Sequence, residues 1–117
     1  MAKDDMDVIM YKILRYMYEV MKQGKTPELS DMCYGCKLFT IPKGYWEQII
    51  YELIEAGYVR GFLYCRTKDG PVITMMDTAG ITLSGVHFLE ENSRMAKAKQ
   101  FLGRGFEIVL ESIIAVL

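Results

Sequence analysis

"LIEAGYVRGFLYCRTKDGPVITMM", residues 53–76, changes its hydrophobic period partway along. Up to Gly57 it completes "KGYWEQIIYELIEAG" (43–57), where Trp46, Ile49, Ile50 and Leu53 recur at helical spacing and Gly57 supplies a stop. From Tyr58 the chain turns aromatic and β-branched, so "YVRGFLYC" (58–65) predicts a strand. "KDG" (68–70) carries the Asp-Gly signal of a type I′ turn, and "PVITMM" (71–76) predicts the returning strand. Helix, stop, strand, tight turn and strand therefore follow one another without a linker.

Upstream, residues 4–22 predict a helix. Met6, Ile9, Met10, Ile13, Met17, Val20 and Met21 form its apolar face, while Lys12, Arg15, Glu19 and Lys22 lie mostly opposite. Ser30 suits the cap of a short second helix through Tyr34, closed by Gly35. "KLFTIP" (37–42) reads as extended, with Pro42 opening the third helix. Downstream, Thr82 suits the cap of a helix from Leu83 to Glu91 burying Leu83, Val86 and Leu89, and Ser93 the cap of a last helix reaching Leu117. This order predicts an α+β, mostly helical fold: a winged helix-turn-helix (1–92) with a two-stranded wing, and a C-terminal helical extension (93–117) that packs on the core or dimerises.

Two stretches carry a family resemblance. "YELIEAGYVRGF" (51–62) joins the third helix to the wing, and "ITLSGVHFLEENS" (81–93) holds a Leu/Ile-Thr-x-x-Gly-x-x-x-Leu pattern after it. Together they resemble the YjcQ-like family, small winged-helix proteins of Gram-positive bacteria and their phages, over roughly Tyr11 to Ser93. The resemblance implies the fold and brings no settled activity. The chain departs from the family's pattern in a longer segment between the second and third helices, "CYGCKLF" (33–39), and in an unusually apolar last helix.

Composition narrows the function. The 117 residues are 51% hydrophobic and 25% charged with a net charge of -1, which fits one globular domain and provides no global field for nucleic acid. Cys33, Cys36 and Cys65 are too few for a disulfide framework. The charged start does not resemble a signal peptide, and Phe106–Leu117, interrupted by Glu107 and Glu111, is too short to span a bilayer. The expected setting is cytoplasmic with reduced thiols.

Catalytic and metal motifs are weak. A structural zinc site takes four ligands, and Cys33/Cys36 is joined only by Cys65 and the lone His87. Redox chemistry needs the first cysteine at a helix N-terminus, whereas this pair sits at a predicted helix end. Ser84 precedes His87 by one helical turn without an oxyanion arrangement, Glu90 and Glu91 diverge, and "LGRGF" (102–106) lacks the third glycine of a dinucleotide loop. Its glycines suit a kink or a close helix contact. No metal, cofactor, small-molecule substrate or enzymatic activity is expected.

Binding residues remain. In a winged helix the exposed face of the third helix enters the major groove, and here it presents Lys43, Gln48 and Tyr51, with Gln48 able to read adenine. Arg66 and Lys68 stand at the wing tip, and Arg94, Lys97, Lys99 and Arg104 form a basic stretch. Glu47, Glu52 and Glu55 share the third helix's solvent side and oppose phosphate. The reading is duplex DNA binding in a phage- or prophage-type regulatory role, as a transcriptional regulator; the alternative is a protein-interaction module without nucleic acid. A homodimer is expected on the last helix, through the seam Leu102, Phe106, Val109, Ile113 and Val116, unless that helix folds back across the first.

Overall fold

A computed structural model describes all of residues 1–117. The chain runs α1 (Met6–Lys22), a single 3-10 turn (Leu29–Asp31), α2 (Lys43–Glu55), β1 (Val59–Thr67), β2 (Gly70–Ile81), α3 (Leu83–Glu91) and α4 (Ser93–Ala115). The fold is α+β: four α-helices around one two-stranded antiparallel sheet. One cluster of 27 buried residues draws on every helix and both strands, so residues 93–117 share the core of the rest. No helix is long and apolar enough to cross a membrane.

α1 is the central element, in contact with α2, α3, α4 and β2. Enclosure on several sides explains why Val8, Tyr11, Leu14 and Tyr16 are buried along with Ile9, Ile13, Met17 and Val20. The expected one-sided methionine face does not form: Met6 and Met21 are exposed and Met10 only partly buried.

Between α1 and α2 the expected second helix is reduced to the 3-10 turn, with Ser30 inside it and Glu28 preceding it. Side chains have taken the groups a longer helix would need. The buried Tyr16 hydroxyl donates to the Asp31 carboxylate at 2.8 Å and accepts from the Glu28 N–H at 2.8 Å, and the Trp46 indole donates to the Met32 carbonyl at 2.8 Å. The "CYGC" stretch then closes a small loop, with Gly35 bridged to Thr40 and the Cys36 N–H bonded to the Phe39 carbonyl.

α2 ends as the sequence suggests. The Gly57 N–H bonds to the Ile54 carbonyl and the Tyr58 N–H to the Leu53 carbonyl, the paired bonds of a Schellman cap. The hairpin that follows is longer than expected, because β2 continues five residues past Met76 to Ile81. Its turn is not type I′. That turn needs positive φ at both central residues, and no non-glycine residue here has it; Gly70 takes the positive φ instead.

Register explains the long second strand. Arg60 pairs with Gly80 and Phe62 with Met75, leaving Met76–Ala79 opposite the single residue Gly61. Gly61 sits at φ 77°, and a Cβ there would run into the backbone of Thr78 and Ala79. The bulge bends the hairpin over α2.

α3 is capped by Thr82, whose hydroxyl accepts from the Gly85 N–H at 3.0 Å. Gly85 lies against the Tyr58 carbonyl with no room for a Cβ, and Phe88 stacks on Tyr58 at 4.3 Å. That contact chooses the buried face of α3, and it turns Leu83, expected inside, to solvent at 71% exposure. At the next junction Asn92, not Ser93, is the cap: its side-chain oxygen accepts from the N–H groups of Arg94 and Met95.

α4 breaks at Gly103 (φ 63°, ψ -154°), a conformation with no place in a helix, so "LGRGF" does hold a kink. The kink lays the C-terminal half along α1. There Phe106, Leu110, Ile113 and Ile114 are buried, and the Lys25 ammonium donates to the Ile114 carbonyl at 2.9 Å. Phe106 and Ile113, expected to meet a second chain, are therefore committed to the monomer's core; Leu102 is half-buried, and Val109 and Val116 are exposed.

Candidate nucleic-acid interface

Strand alternation puts Phe62, Tyr64 and Arg66 on the face of β1 that looks at α2. Burial decreases outward along that face, with Phe62 in the core, Tyr64 half-buried and Arg66 exposed. The exposed side of α2 contributes Gln48, Tyr51 and Glu52, and together these elements enclose a cleft of about 530 Å³ lined by Gln48, Tyr51, Glu52, Tyr64 and Arg66. The rings of Tyr51 and Tyr64 meet at 4.9 Å, tilted by 50°, and form its aromatic wall.

Three of the five nucleic-acid residues expected from sequence, Gln48, Tyr51 and Arg66, are thus gathered at one place. Lys43 lines the adjoining cleft together with Pro71, the ladder partner of Arg66. Lys68 lies beyond, in the turn, and is exposed. Arg66, Lys43 and Lys68 enter no ion pair. Tyr64 was missed by the sequence reading, although its signal was present in the alternation of Phe62, Tyr64 and Arg66.

Acidity on α2 is lower than expected. Glu47 is only 9% exposed, covered beside Trp46, Pro71 and Ile73, so it belongs to the helix–hairpin contact and not to the solvent side. Glu52 and Glu55 stay exposed, and Glu52 lines the cleft itself. The basic stretch of α4 lies elsewhere. Arg94 pairs with Asp7 at 3.1 Å, and Lys99 lines a cleft of about 410 Å³ between α1, α3 and α4. In that cleft Arg15 makes a two-pronged contact with Glu107, at 2.8 and 2.9 Å.

The remaining chemical candidates stay apart. Cys33 and Cys36 are half-buried against the core, whereas Cys65 is exposed on the hairpin's outer face, away from Tyr64. Burial raises the Cys36 thiol above its usual range, partly offset by backbone hydrogen bonding, and its sulfur donates to the Phe39 carbonyl at 3.5 Å. His87 and Ser84 are exposed on α3 and line neither cleft. No three His, Cys, Asp or Glu side chains converge as metal ligands would.

The two stretches that carried the resemblance meet in space. The Thr82 N–H donates to the Tyr58 carbonyl at 3.0 Å and the Thr82 hydroxyl to the Gly57 carbonyl, so "LIEAGYVRG" is clipped to "ITLSG". The family model described as YjcQ protein matches residues 11–103. No curated protein and no solved structure matches the chain. The matched span holds the α2–hairpin cleft, the Gly61 bulge and the Thr82 clip, and ends at the Gly103 kink: the chain belongs to the YjcQ family.

Proposed function

We propose that the chain is a winged-helix protein that binds duplex DNA without catalysis, with α2 as the recognition helix and the β1–β2 hairpin as the wing, in a regulatory role of phage or prophage type. The observation that carries this reading is the convergence of Gln48 and Tyr51 from α2 with Tyr64 and Arg66 from the hairpin. A groove-reading amide and a phosphate-seeking guanidinium then share one surface, with Lys43 and Lys68 flanking it. With Glu47 covered, Glu52 and Glu55 are the remaining charges on α2 that oppose phosphate.

The test is fluorescence anisotropy with labelled duplexes of unrelated sequence at low salt. Wild type should bind all of them weakly. Arg66→Ala combined with Lys68→Ala should weaken binding uniformly and reduce the salt slope by about 2, about 1 for each lost phosphate contact. Glu52→Gln should tighten binding. Absence of binding to any duplex at low salt would sink the reading, because the phosphate contribution needs no sequence match.

A second reading, a protein-interaction module on the same scaffold, is favoured by the hairpin's outer face, where Leu63, Val72 and Met76 are exposed side by side with Cys65. Leu63→Glu separates the two, since it leaves the DNA-binding face untouched.

A further inference from the structure

Beyond the kink, the helix from Arg104 to Ala115 has two unlike faces. One is filled by α1, through Phe106, Leu110 and Ile113. The opposite face centres on Ile108, 66% exposed. At helical pitch Gly105, Ser112 and Ala115, together with Arg104 and Glu111, fall within about 60° of Ile108, so one large apolar side chain sits in a strip of small residues with a pair of opposite charges to one side. The single hydroxyl on this strip is turned inward: Ser112 donates to the Val109 carbonyl of its own helix at 2.7 Å. Nothing of the molecule lies within 4 Å of a Cβ built on Gly105.

The edges of the strip indicate what covers it. Arg104 and Glu111 lie on one edge, both exposed and neither in an ion pair; Val109 and Val116, the latter 82% exposed, lie on the other. Two copies packed parallel bring opposite edges together and set charge against valine. Two copies packed antiparallel bring like edges together. With Ile108 near the two-fold axis, Arg104 of each chain then faces Glu111 of the other, and the Val109 edges adjoin.

We infer that this chain forms an isologous, antiparallel homodimer through the outer face of the helix after Gly103, with Ile108 at its centre and reciprocal Arg104–Glu111 pairs on its rim. The strip is self-complementary in shape and in charge, as a two-fold contact demands. It lies outside the 11–103 span that the family model matches. Its one large apolar anchor and solvent-exposed charge pairs make a weak association, and a dissociation constant in roughly the micromolar range is expected.

Sedimentation equilibrium of the full chain from about 1 to 500 μM, bracketing that affinity, tests it. Wild type should pass from one chain mass to two. Arg104→Glu and Glu111→Arg should each weaken the dimer at least 10-fold, with unchanged thermal midpoints at concentrations where the wild type is monomeric, since both side chains are exposed and unpaired within one chain. The double variant should restore the dimer, and an equimolar mixture of the two single variants should give a heterodimer. Ile108→Asp should abolish association and keep the fold. A wild type that stays monomeric throughout, or a double variant that fails to recover, overturns the inference. Neither result bears on DNA binding, which rests on α2 and the hairpin.

Discussion

Glu107 reaches α1 only because the chain bends four residues before it, and its two bonds to Arg15 hold that bend in place. Burial alone would disfavour the Arg15 charge, but hydrogen bonds to Glu107 and Tyr11 outweigh it and raise its pKa. The same pair, through hydrogen bonding, holds the Glu107 carboxyl below its ordinary value. A carboxylate depressed in the folded state stabilises above its unfolded pKa and loses that contribution as pH falls through the folded one. Wild type should therefore resist urea better than Glu107→Gln near neutral pH, and the gap should close as pH falls below the ordinary carboxylate range. A gap that stays constant into acid would mean that the pair adds nothing of its own. In sequence, Arg15 and Glu107 read as unrelated surface charges, because nothing local links positions 92 apart.

At the level of elements the hairpin depends on one backbone position. Gly61 combines positive φ with direct contact to the strand opposite, so Gly61→Ala meets both the left-handed penalty and a backbone collision. The expected cost is about 3 kcal/mol or more. It should appear as a lowered denaturant midpoint and as loss of the bend that sets Tyr64 and Arg66 against α2. Gly44, exposed with nothing near it, is the control: alanine there should be neutral or slightly stabilising. If Gly61→Ala matched that control, the bulge would not be what aims the hairpin. The two strands and the place of their turn were legible from aromatic and β-branched runs and the Asp-Gly pair, whereas the turn type, the last five residues of β2 and the bulge were not, since they are set by pairing between strands.

For the whole molecule, the two faces of the last helix make opposite predictions. Ile113 is 3% exposed against α1, so Ile113→Asp buries a carboxylate without a partner and should cost about 3 kcal/mol or more, a large part of a small domain's stability. Circular dichroism and thermal unfolding should show a destabilised or unfolded chain. Ile108→Asp should leave the thermal midpoint near wild type at concentrations where the wild type is monomeric. A folded, monomeric Ile113→Asp would instead return the earlier seam of Leu102, Phe106, Val109, Ile113 and Val116 to the interface.

What the sequence determined by itself is local in origin. Helical and strand periods placed α1, α2, α3 and the hairpin, Gly57 and Thr82 marked ends that their own backbone bonds enforce, and the glycines of "LGRGF" marked where a kink or a close helix contact could form. Motif residues were also enough to point to the family, and to single out Gln48, Tyr51 and Arg66, which the tertiary structure then brought to one cleft. Tertiary structure alone decided which side of each element faces inward. Stacking of Phe88 on Tyr58 turned Leu83 out, contact with the hairpin drew Glu47 in, and the buried Tyr16 hydroxyl and Trp46 indole held the segment meant for a second helix to a 3-10 turn. An apolar residue can be covered by any neighbour that reaches it, so a helix that is apolar nearly all round does not say which side another element will cover. For Phe106 and Ile113 that choice was made by the Gly103 bend, which brings them onto α1, and it leaves Ile108 facing outward.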